Sequence, residues 1–509
     1  MDDPTDRNLE REVKLTVDDD FLAPDLTTSS DGLVERSTRE AVHVDSYYDT
    51  PELRLVRAGI TVRSREEDGR TTWTVKLPTP DAEIAGGLTR LEVNLDGRAG
   101  GVPAEAARIV RARVRGGSLR LAARFRTVRR TTALGTGDRA LALVDDDRVT
   151  VVAGIGKGQR FRELEVELTP EAPAELLDAV VDRLVENGAR PGEQRPKLAR
   201  ALGPAAAEPA DLEPVALGDD PTIGELVRAA ITEHVRRLVD HDPVIRLDLD
   251  PEGVHQMRVA TRRLRADLRT FRPVLNREWS DPQRDELRWL GRALGAVRDA
   301  DVMLASLRGR AAELPDADRD AAERLLGRLR EERATALGSL QRLLDGRRYR
   351  SLLDALVEAA AAPRFDPDAD IDAAAKQAAP KLVARPWKKL RREVRDLDDE
   401  PADEKLHRVR IRAKRARYAS EAAAAAIGRK ADKLATRLSD LQDVLGELQD
   451  AVVAEAWLRD AAGGSTSEEA LVAGLLVARE QAEADDRRAS WGDVWARASR
   501  KKLASWLKR

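Results

Sequence analysis

The stretch Leu9-Glu10-Arg11-Glu12-Val13-Lys14-Leu15 alternates with period 2. As a β-strand it turns Glu10, Glu12 and Lys14 to one face and Leu9, Val13 and Leu15 to the other. Two carboxylates about 7 Å apart on one strand face can grip a hard divalent cation. A lysine on the same face can hold an anionic oxygen beside it, a combination that suits a metal–polyphosphate complex. A single strand of this kind also reads as a solvated face. Recurrence of the pattern over the next 190 residues separates the two readings.

The recurrences are regular. Gly59–Arg65 places Arg63 and Arg65 on one face, and Glu67-Asp68-Gly69-Arg70 is a hairpin turn signal. Thr72–Pro78 sets Lys76 against Trp73 and Val75. Thr89–Leu95 sets Arg90 and Glu92 against Leu91 and Val93. Ala123–Arg130 carries Arg124, Arg126 and Arg130 on one face, and Ala140–Asp145 runs into Asp145-Asp146-Asp147. Phe161–Leu168 gathers Glu163, Glu165 and Glu167 on one face. Short helices are predicted over about 103–114 and 172–187. About eight such strands fit an open sheet with a wet outer face. They fit equally a closed barrel with a charged interior and helices outside, where the first and last strands would set glutamates against Arg and Lys of the middle strands.

Residues 203–221 contain four prolines and no helical periodicity, which predicts a semi-extended linker. After Pro221, Ala, Leu, Arg and Glu recur at helical spacing, with breaks predicted at Pro273, Asp281-Pro282 and Pro363–Pro367. An internal repeat lies inside. His255, Arg258, Arg262 and Arg265 fall at the same offsets as His407, Arg410, Lys414 and Arg417, with Arg263 and Arg415 one step off the stripe. Leu290-x-x-x-Leu294-Gly295-x-x-Arg298-Asp299 matches Leu441-x-x-x-Leu445-Gly446-x-x-Gln449-Asp450. Each first set forms one basic stripe over about three helical turns. Like charges stacked in this way repel, so the helix alone gains nothing from them. Two facing stripes suit a long, uniform polyanion. Lys381, Lys388, Lys389, Arg391 and Arg392 form a further basic cluster, expected at a pore rim.

The chain has 88 basic and 91 acidic residues and a formal charge of -3, so no global field advertises nucleic-acid binding. Aromatics at 3% leave few stacking platforms for single strands. With no cysteine, disulfides and thiolate metal sites are excluded. The opening Met-Asp-Asp-Pro-Thr-Asp-Arg lacks the regions of a signal peptide, and no apolar run of about 18 residues exists. A cytoplasmic protein without a membrane partner is expected.

Several motifs occur in a set order: Glu10-x-Glu12-x-Lys14, Tyr47-Tyr48-Asp49-Thr50, Arg63-Ser64-Arg65, Thr74-Val75-Lys76, Arg90-x-Glu92, an aspartate after an Ala-Leu run, Glu163-x-Glu165-x-Glu167 and Pro196-Lys197. This resembles the CYTH domain, the triphosphate tunnel metalloenzyme family, over about residues 6–203. The resemblance implies an eight-stranded antiparallel tunnel that binds triphosphate with Mg²⁺ or Mn²⁺. It implies Glu10, Glu12, Asp145, Glu163 and Glu165 as metal ligands or water-positioning carboxylates, with Asp146 and Asp147 as alternatives to Asp145. It implies Lys14, Arg63, Arg65, Lys76, Arg90, Arg126 and Lys197 as phosphate-binding residues, Arg124 and Arg130 being alternatives to Arg126. Glu92 fits either acidic role, and Glu167 is placed near the tunnel mouth.

The two His-x-x-Arg helices and the Leu-Gly repeats resemble the CHAD domain over about 220–509, which implies paired helical bundles around a basic, polyphosphate-binding pore. The eight stripe residues would line it. The sequence thus predicts a multidomain α+β chain: a tunnel domain over 1–203, a linker over 204–221 and a helical domain over 222–509, with halves at about 222–370 and 371–509. The expected function is metal-dependent hydrolysis of inorganic triphosphate or a related triphosphate, with polyphosphate bound by the helical half. The alternatives are a non-catalytic polyphosphate-binding protein targeted to granules, and an adenylate cyclase-type activity, for which no base-recognition feature is visible.

Overall fold

The structure is a computed structural model and describes residues 6–27, 33–79 and 88–508. Residues 1–5, the opening of the segment read above for a signal peptide, lie outside the described residues. The chain divides into two units at Asp211/Leu212.

In the first unit the strands are β1 (Asp6–Thr16), β2 (Val34–Asp49), β3 (Thr61–Glu67), β4 (Arg70–Pro78), β5 (Leu88–Asp96), β6 (Arg120–Thr136), β7 (Arg139–Gly154) and β8 (Arg160–Leu168). They pair antiparallel in the order β5-β4-β3-β2-β6-β7-β8-β1, and β1 pairs again with β5. That last pairing closes the barrel and leaves no open edge between the first and last strands. The two-residue β9 (Arg190–Pro191) extends the end of β1. Strands β6 and β7 are at least twice the predicted length, since their polar outer ends continue the ladder past the core.

The pleat decides what faces where. Outward from β1, β7 and β8 point Val13, Leu15, Val144, Leu164 and Val166, and α4 (Glu175–Glu186) covers them with Leu177, Val180 and Leu184. The charged residues of the same strands point inward, so the closed barrel rather than the open sheet is the outcome. Towards one end the interior turns apolar. Phe125, Val149 and Val151 pack with Tyr47 and with Leu198 of α5 (Lys197–Leu202), plugging that end. Small helices α1 (Arg54–Arg57), α2 (Ala104–Ile109), α3 (Arg111–Val114) and α6 (Pro204–Ala207) complete the unit. The segment read as one helix over 103–114 is therefore two. The first residues read as linker form α6, whose Ala206 is buried with the plug.

The second unit is helical: α7 (Ile223–Asp240), α8 (Asp242–Arg246), α9 (Pro251–Thr270), α10 (Arg277–Ala311), α11 (Arg319–Asp345), α12 (Arg347–Ala361), α13 (Ala375–Arg395), α14 (Asp403–Ile427), α15 (Arg429–Ala462) and α16 (Ser467–Ala498). The repeat is exact in its starts: α13, α14 and α15 begin at 375, 403 and 429, each 152 residues after α7, α9 and α10 at 223, 251 and 277. The two halves meet where Thr222 forms an antiparallel bridge with Ala374, joining the starts of α7 and α13. Pro282 does not break a helix; it lies in the second turn of α10. The backbone bond it removes is outweighed by burial of Leu287, Leu290, Leu294 and Val297 further along the same helix.

Candidate functional sites

Antiparallel register sets cation against carboxylate inside the barrel. Glu10 lies opposite Arg90, Lys14 opposite Glu165, and Lys76 opposite Glu92. Asp145 lies opposite Glu165, and Asp147 sits between Arg129 and Glu163. Glu10, Glu12, Lys14, Lys76, Arg90, Asp145, Asp147, Glu163, Glu165 and Lys197 are all less than one-tenth exposed. A cavity of about 170 Å³ is lined by both signs, among them Glu10, Glu12, Lys14, Arg63, Arg65, Lys76, Arg90, Arg129, Glu165 and Lys197.

The ion pairs are continuous. Arg90 holds Glu12 and reaches Glu10 at 3.3 Å, while Lys76 holds Glu10 and, at 2.8 Å, Glu92. Lys14 holds Glu165 and lies 3.4 Å from Glu12. Lys197, at the first turn of α5, donates to Asp147 at 2.5 Å and to Glu165 at 2.6 Å. Arg65 forks on to Asp45 at 2.9 and 3.0 Å, and Arg63 stands 3.6 Å from the same carboxylate.

These contacts set the charge states. Burial pushes the Glu12 carboxyl up, but Lys14, Arg90, Lys76 and Lys197 together hold it well below the usual carboxylate range. Burial brings Lys14 down to about 8 against the pull of Glu12. Glu167 is pushed up to about 7 by burial and by Glu10, with Glu12 and Glu92 adding to it. The interior thus carries carboxylate in excess of what its cations neutralise there.

That excess bears on a divalent metal. The donors are hard oxygens, the right chemistry for Mg²⁺ or Mn²⁺, and Glu163 Oε1 is buried without a hydrogen-bond partner. Among the described residues no three such donors converge as a ready-made cage. Each is turned instead on to a lysine or arginine.

One expected residue is displaced. Arg126 is exposed on the outer face of β6, as are Arg124 and Arg130. The interior position belongs to Arg129, of opposite parity, which forks on to Asp147 at 2.7 and 2.6 Å and reaches Glu165 at 3.1 Å as well as Asp145. The inward face of β6 is the one carrying Phe125 and Thr127, both buried; the three arginines chosen from the sequence share the other. Among the three aspartates, Asp145 and Asp147 face inward and Asp146 pairs outward with Arg162 at 2.7 Å. Asp49 accepts from the Leu55 and Val56 amides at 2.9 Å each and so caps α1, while Tyr47 lines the cavity. If the cavity is an active site, Arg129→Ala lowers kcat/KM for its substrate about 10²-fold or more, the loss typical of one preorganised charged donor. Arg126→Ala is expected to leave it within about twofold; steady-state kinetics of the two variants checks this.

In the second unit the stripes of α9 and α14 bring Arg258, Arg262, Arg410 and Lys414 together. Burial, then Arg410, Arg262 and Arg258, push the Lys414 ammonium down to about 7. Arg262 and Arg410 each bury an Nε with no hydrogen-bond partner. Tyr418 gives them a platform: Arg262, Arg263 and Arg417 lie 5.5, 4.7 and 5.8 Å from its ring. In its second copy the Leu-Gly motif has a physical reason. A side chain at Gly295 would meet the Arg258 guanidinium at 4.0 Å, and one at Gly446 would meet that of Arg410 at 3.2 Å. Gly446 leaves the room that Arg410 takes, whereas Arg258 lies at ordinary contact distance from the Gly295 position and is fixed by Asp299 at 3.1 Å.

The remaining stripe residues diverge. His255 is pushed down by burial and by Arg298, and His407 Nδ1 lies 2.7 Å from Gln449 Oε1, so the unequal Arg298/Gln449 pair sits beside the two histidines. Arg417 is tied to Glu421 at 2.9 Å. Arg265 faces Arg288, Arg284 and Arg292 of α10. Burial and Arg415, followed by Arg284, push Arg269 there down to about 10. Lys389 joins this second patch through Arg385, Arg412 and Arg415, whereas Arg392 turns to Asp396 at 3.5 Å.

Residues 8–195 match the CYTH domain and residues 229–459 match the CHAD domain. Two Mycobacterium tuberculosis proteins, MT2285 and Rv2226, are each 32% identical over 506 residues, covering 93% of this chain and 93% of their own. The CHAD domain from the plant Ricinus communis is 24% identical, with a TM-score of 0.46 over 57% of this chain and 96% of that one. PptA from Streptomyces chartreusis is 21% identical, also at 0.46, over 54% and 99%. Among the described residues no helix is long and apolar enough to cross a membrane. The chain belongs to the family of proteins that join a CYTH domain to a CHAD domain.

Proposed function

We propose that the barrel hydrolyses inorganic triphosphate, or a related triphosphate, with Mg²⁺ or Mn²⁺, and that the helical unit binds inorganic polyphosphate. The observation that carries the first part is the matched interior, where every buried lysine and arginine of the barrel leans on a carboxylate. A triphosphate entering this cavity competes for those cations with oxygens of higher charge density. Lys14, Arg63, Arg65, Lys76, Arg90, Arg129 and Lys197 transfer to phosphate and hold it in one register. The carboxylates they release are Glu10, Glu12, Asp145, Asp147, Glu163 and Glu165, and these are the residues that would hold the metal. A bound divalent ion supplies charge neutralisation of the phosphate oxygens and polarises water. Glu163 and Glu165, beside Lys197, orient a water for in-line attack on a terminal phosphorus and take its proton. The arginines stabilise the equatorial charge that builds on the transferring group.

Orthophosphate release from tripolyphosphate, ATP and long-chain polyphosphate tests this reading. Tripolyphosphate is the expected preferred substrate, because the cavity is lined mainly by charged side chains of both signs. Cyclic AMP and pyrophosphate formed from ATP, with no orthophosphate from tripolyphosphate, would point to cyclisation instead.

In the helical unit the supporting observation is the half-buried convergence of Arg258, Arg262, Arg410 and Lys414, in which Arg262 and Arg410 bury Nε groups without hydrogen-bond partners. Their mutual repulsion is relieved by a polyanion. Free Lys414 loses its proton through about pH 7, whereas the bound polyanion favours the charged ammonium. Binding therefore takes up a proton, and affinity falls as pH rises from about 6 to 8. Isothermal titration with polyphosphate across that range measures the fall, and Lys414→Arg is expected to flatten it.

A further inference from the structure

A second cavity of about 460 Å³ lies beside the site described and shares Lys14 with it. It is lined by Lys14, Thr16 and Glu163 and by the chain after β9, including Glu193, Arg195 and Arg200. Glu163 lines the second cavity and reaches towards the first through Lys197. Its Oε1 lies 3.4 Å from Lys197, which lines the first cavity, and its Oε2 lies 3.3 Å from Arg200 Nη1, which lines the second. Arg200 is held in place by Phe161, whose ring lies 4.5 Å from the guanidinium carbon. Its Nη1 is used by Glu163 and by the Arg162 carbonyl at 3.5 Å, which leaves Nε and Nη2 with no hydrogen bond. Only the backbone amide of Arg195 is engaged, to the Glu193 carbonyl at 2.8 Å.

We propose that this second cavity is a phosphate subsite, built by Arg195 and Arg200 and linked to the hydrolytic cavity by Glu163, which contacts both Arg200 and Lys197. The proposal rests on the triphosphatase reading for its biological sense, since Glu163 there orients water at the terminal phosphorus. Hydrolysis joins the water oxygen to that phosphorus and breaks the bridging P–O bond. The bridging oxygen keeps the electron pair on the shortened chain, and the water proton passes to a carboxylate and then to solvent. The orthophosphate so formed lies against Glu163, next to Arg200, whose free fork matches two phosphate oxygens. A phosphate can reach the subsite from two sources: as released orthophosphate, or as the next unit of a chain longer than three.

Two measurements on the full-length protein decide this. In the first, ³¹P line broadening of orthophosphate is followed without any substrate. Wild type is expected to bind saturably, and Arg195→Ala and Arg200→Ala to bind about tenfold more weakly. In the second, steady-state kinetics with Mg²⁺ compares wild type with Arg195→Ala on tripolyphosphate and tetrapolyphosphate, each with and without added orthophosphate. A rise of about tenfold in the orthophosphate inhibition constant, with KM for tripolyphosphate unchanged, assigns the subsite to the product. A similar rise confined to KM for tetrapolyphosphate assigns it to the longer chain. Unchanged broadening together with unchanged inhibition and KM overturns the proposal. A wild type that turns over nothing would overturn the triphosphatase reading instead, and the broadening measurement would still decide the subsite.

Discussion

Glu12→Gln is expected to lower orthophosphate release from tripolyphosphate by about 10³-fold or more, a loss of the size seen when a preorganised charged group leaves an active site. The substitution keeps the shape and one acceptor oxygen but removes the charge. In the resting protein Glu12 lies between Arg90 and Lys14 and stays ionised because those cations and Lys76 outweigh its burial. On the proposed reading the same carboxylate gives up its cations to phosphate when substrate binds and would then hold the metal, a role a neutral amide fills poorly. The barrel itself is expected to survive. Glutamine still accepts from Arg90, and the closure between β1, β5 and β8 runs through backbone bonds. Circular dichroism with a thermal melt, run beside the kinetics, separates loss of chemistry from loss of fold. Full activity in a folded Glu12→Gln protein would remove this carboxylate from the mechanism.

The second large effect is expected in the helical unit. Replacing Arg262 and Arg410 together by alanine is expected to weaken polyphosphate binding by about 10²-fold or more, and to reduce the slope of log affinity against log salt by about 2, one counterion for each lost phosphate contact. These two arginines carry the buried Nε groups without partners, so they lose least when a polyanion arrives. The same double variant is expected to be no less stable than wild type, because it removes repulsion around Lys414. Arg417→Ala, which breaks a pair with Glu421, is expected to cost binding far less. Affinity measured at several salt concentrations checks both.

Much of the barrel site was legible because period-2 alternation states both which residues are charged and which face they share. For β1, β3, β4, β5 and β8 the strands are short and regular, and Glu10, Glu12, Lys14, Lys76, Arg90, Glu163 and Glu165 fall where the alternation puts them. It failed on β6 because arginine occurs there on both faces, at 124, 126 and 130 and at 129. The deciding sign was not charge but Phe125: an interior that ends in an apolar plug needs an aromatic residue in phase with its cation. Asp45 was missed because its partners Arg63 and Arg65 lie on another strand, and register across strands is not written in either one. In the helical unit the 152-residue repeat gave the two stripes and the Leu-Gly motif. That Gly446 leaves room for Arg410 follows only from the packing of α14 on α15. The basic patch around Arg265 and Arg269 was hidden for the same reason, since half of it comes from Arg284 and Arg288 on a different helix.

The proposed exchange of cations between carboxylate and phosphate calls for a divalent ion, and its removal is the simplest perturbation. The most direct measurement is the initial rate of orthophosphate release from tripolyphosphate by the full-length protein, with Mg²⁺ or Mn²⁺ and again after chelation by EDTA. Release that depends on the metal, returns when it is restored and disappears in Glu12→Gln is the expected result. No release with either metal, from a folded protein that still binds polyphosphate, would contradict the hydrolytic reading and leave both units as binding modules.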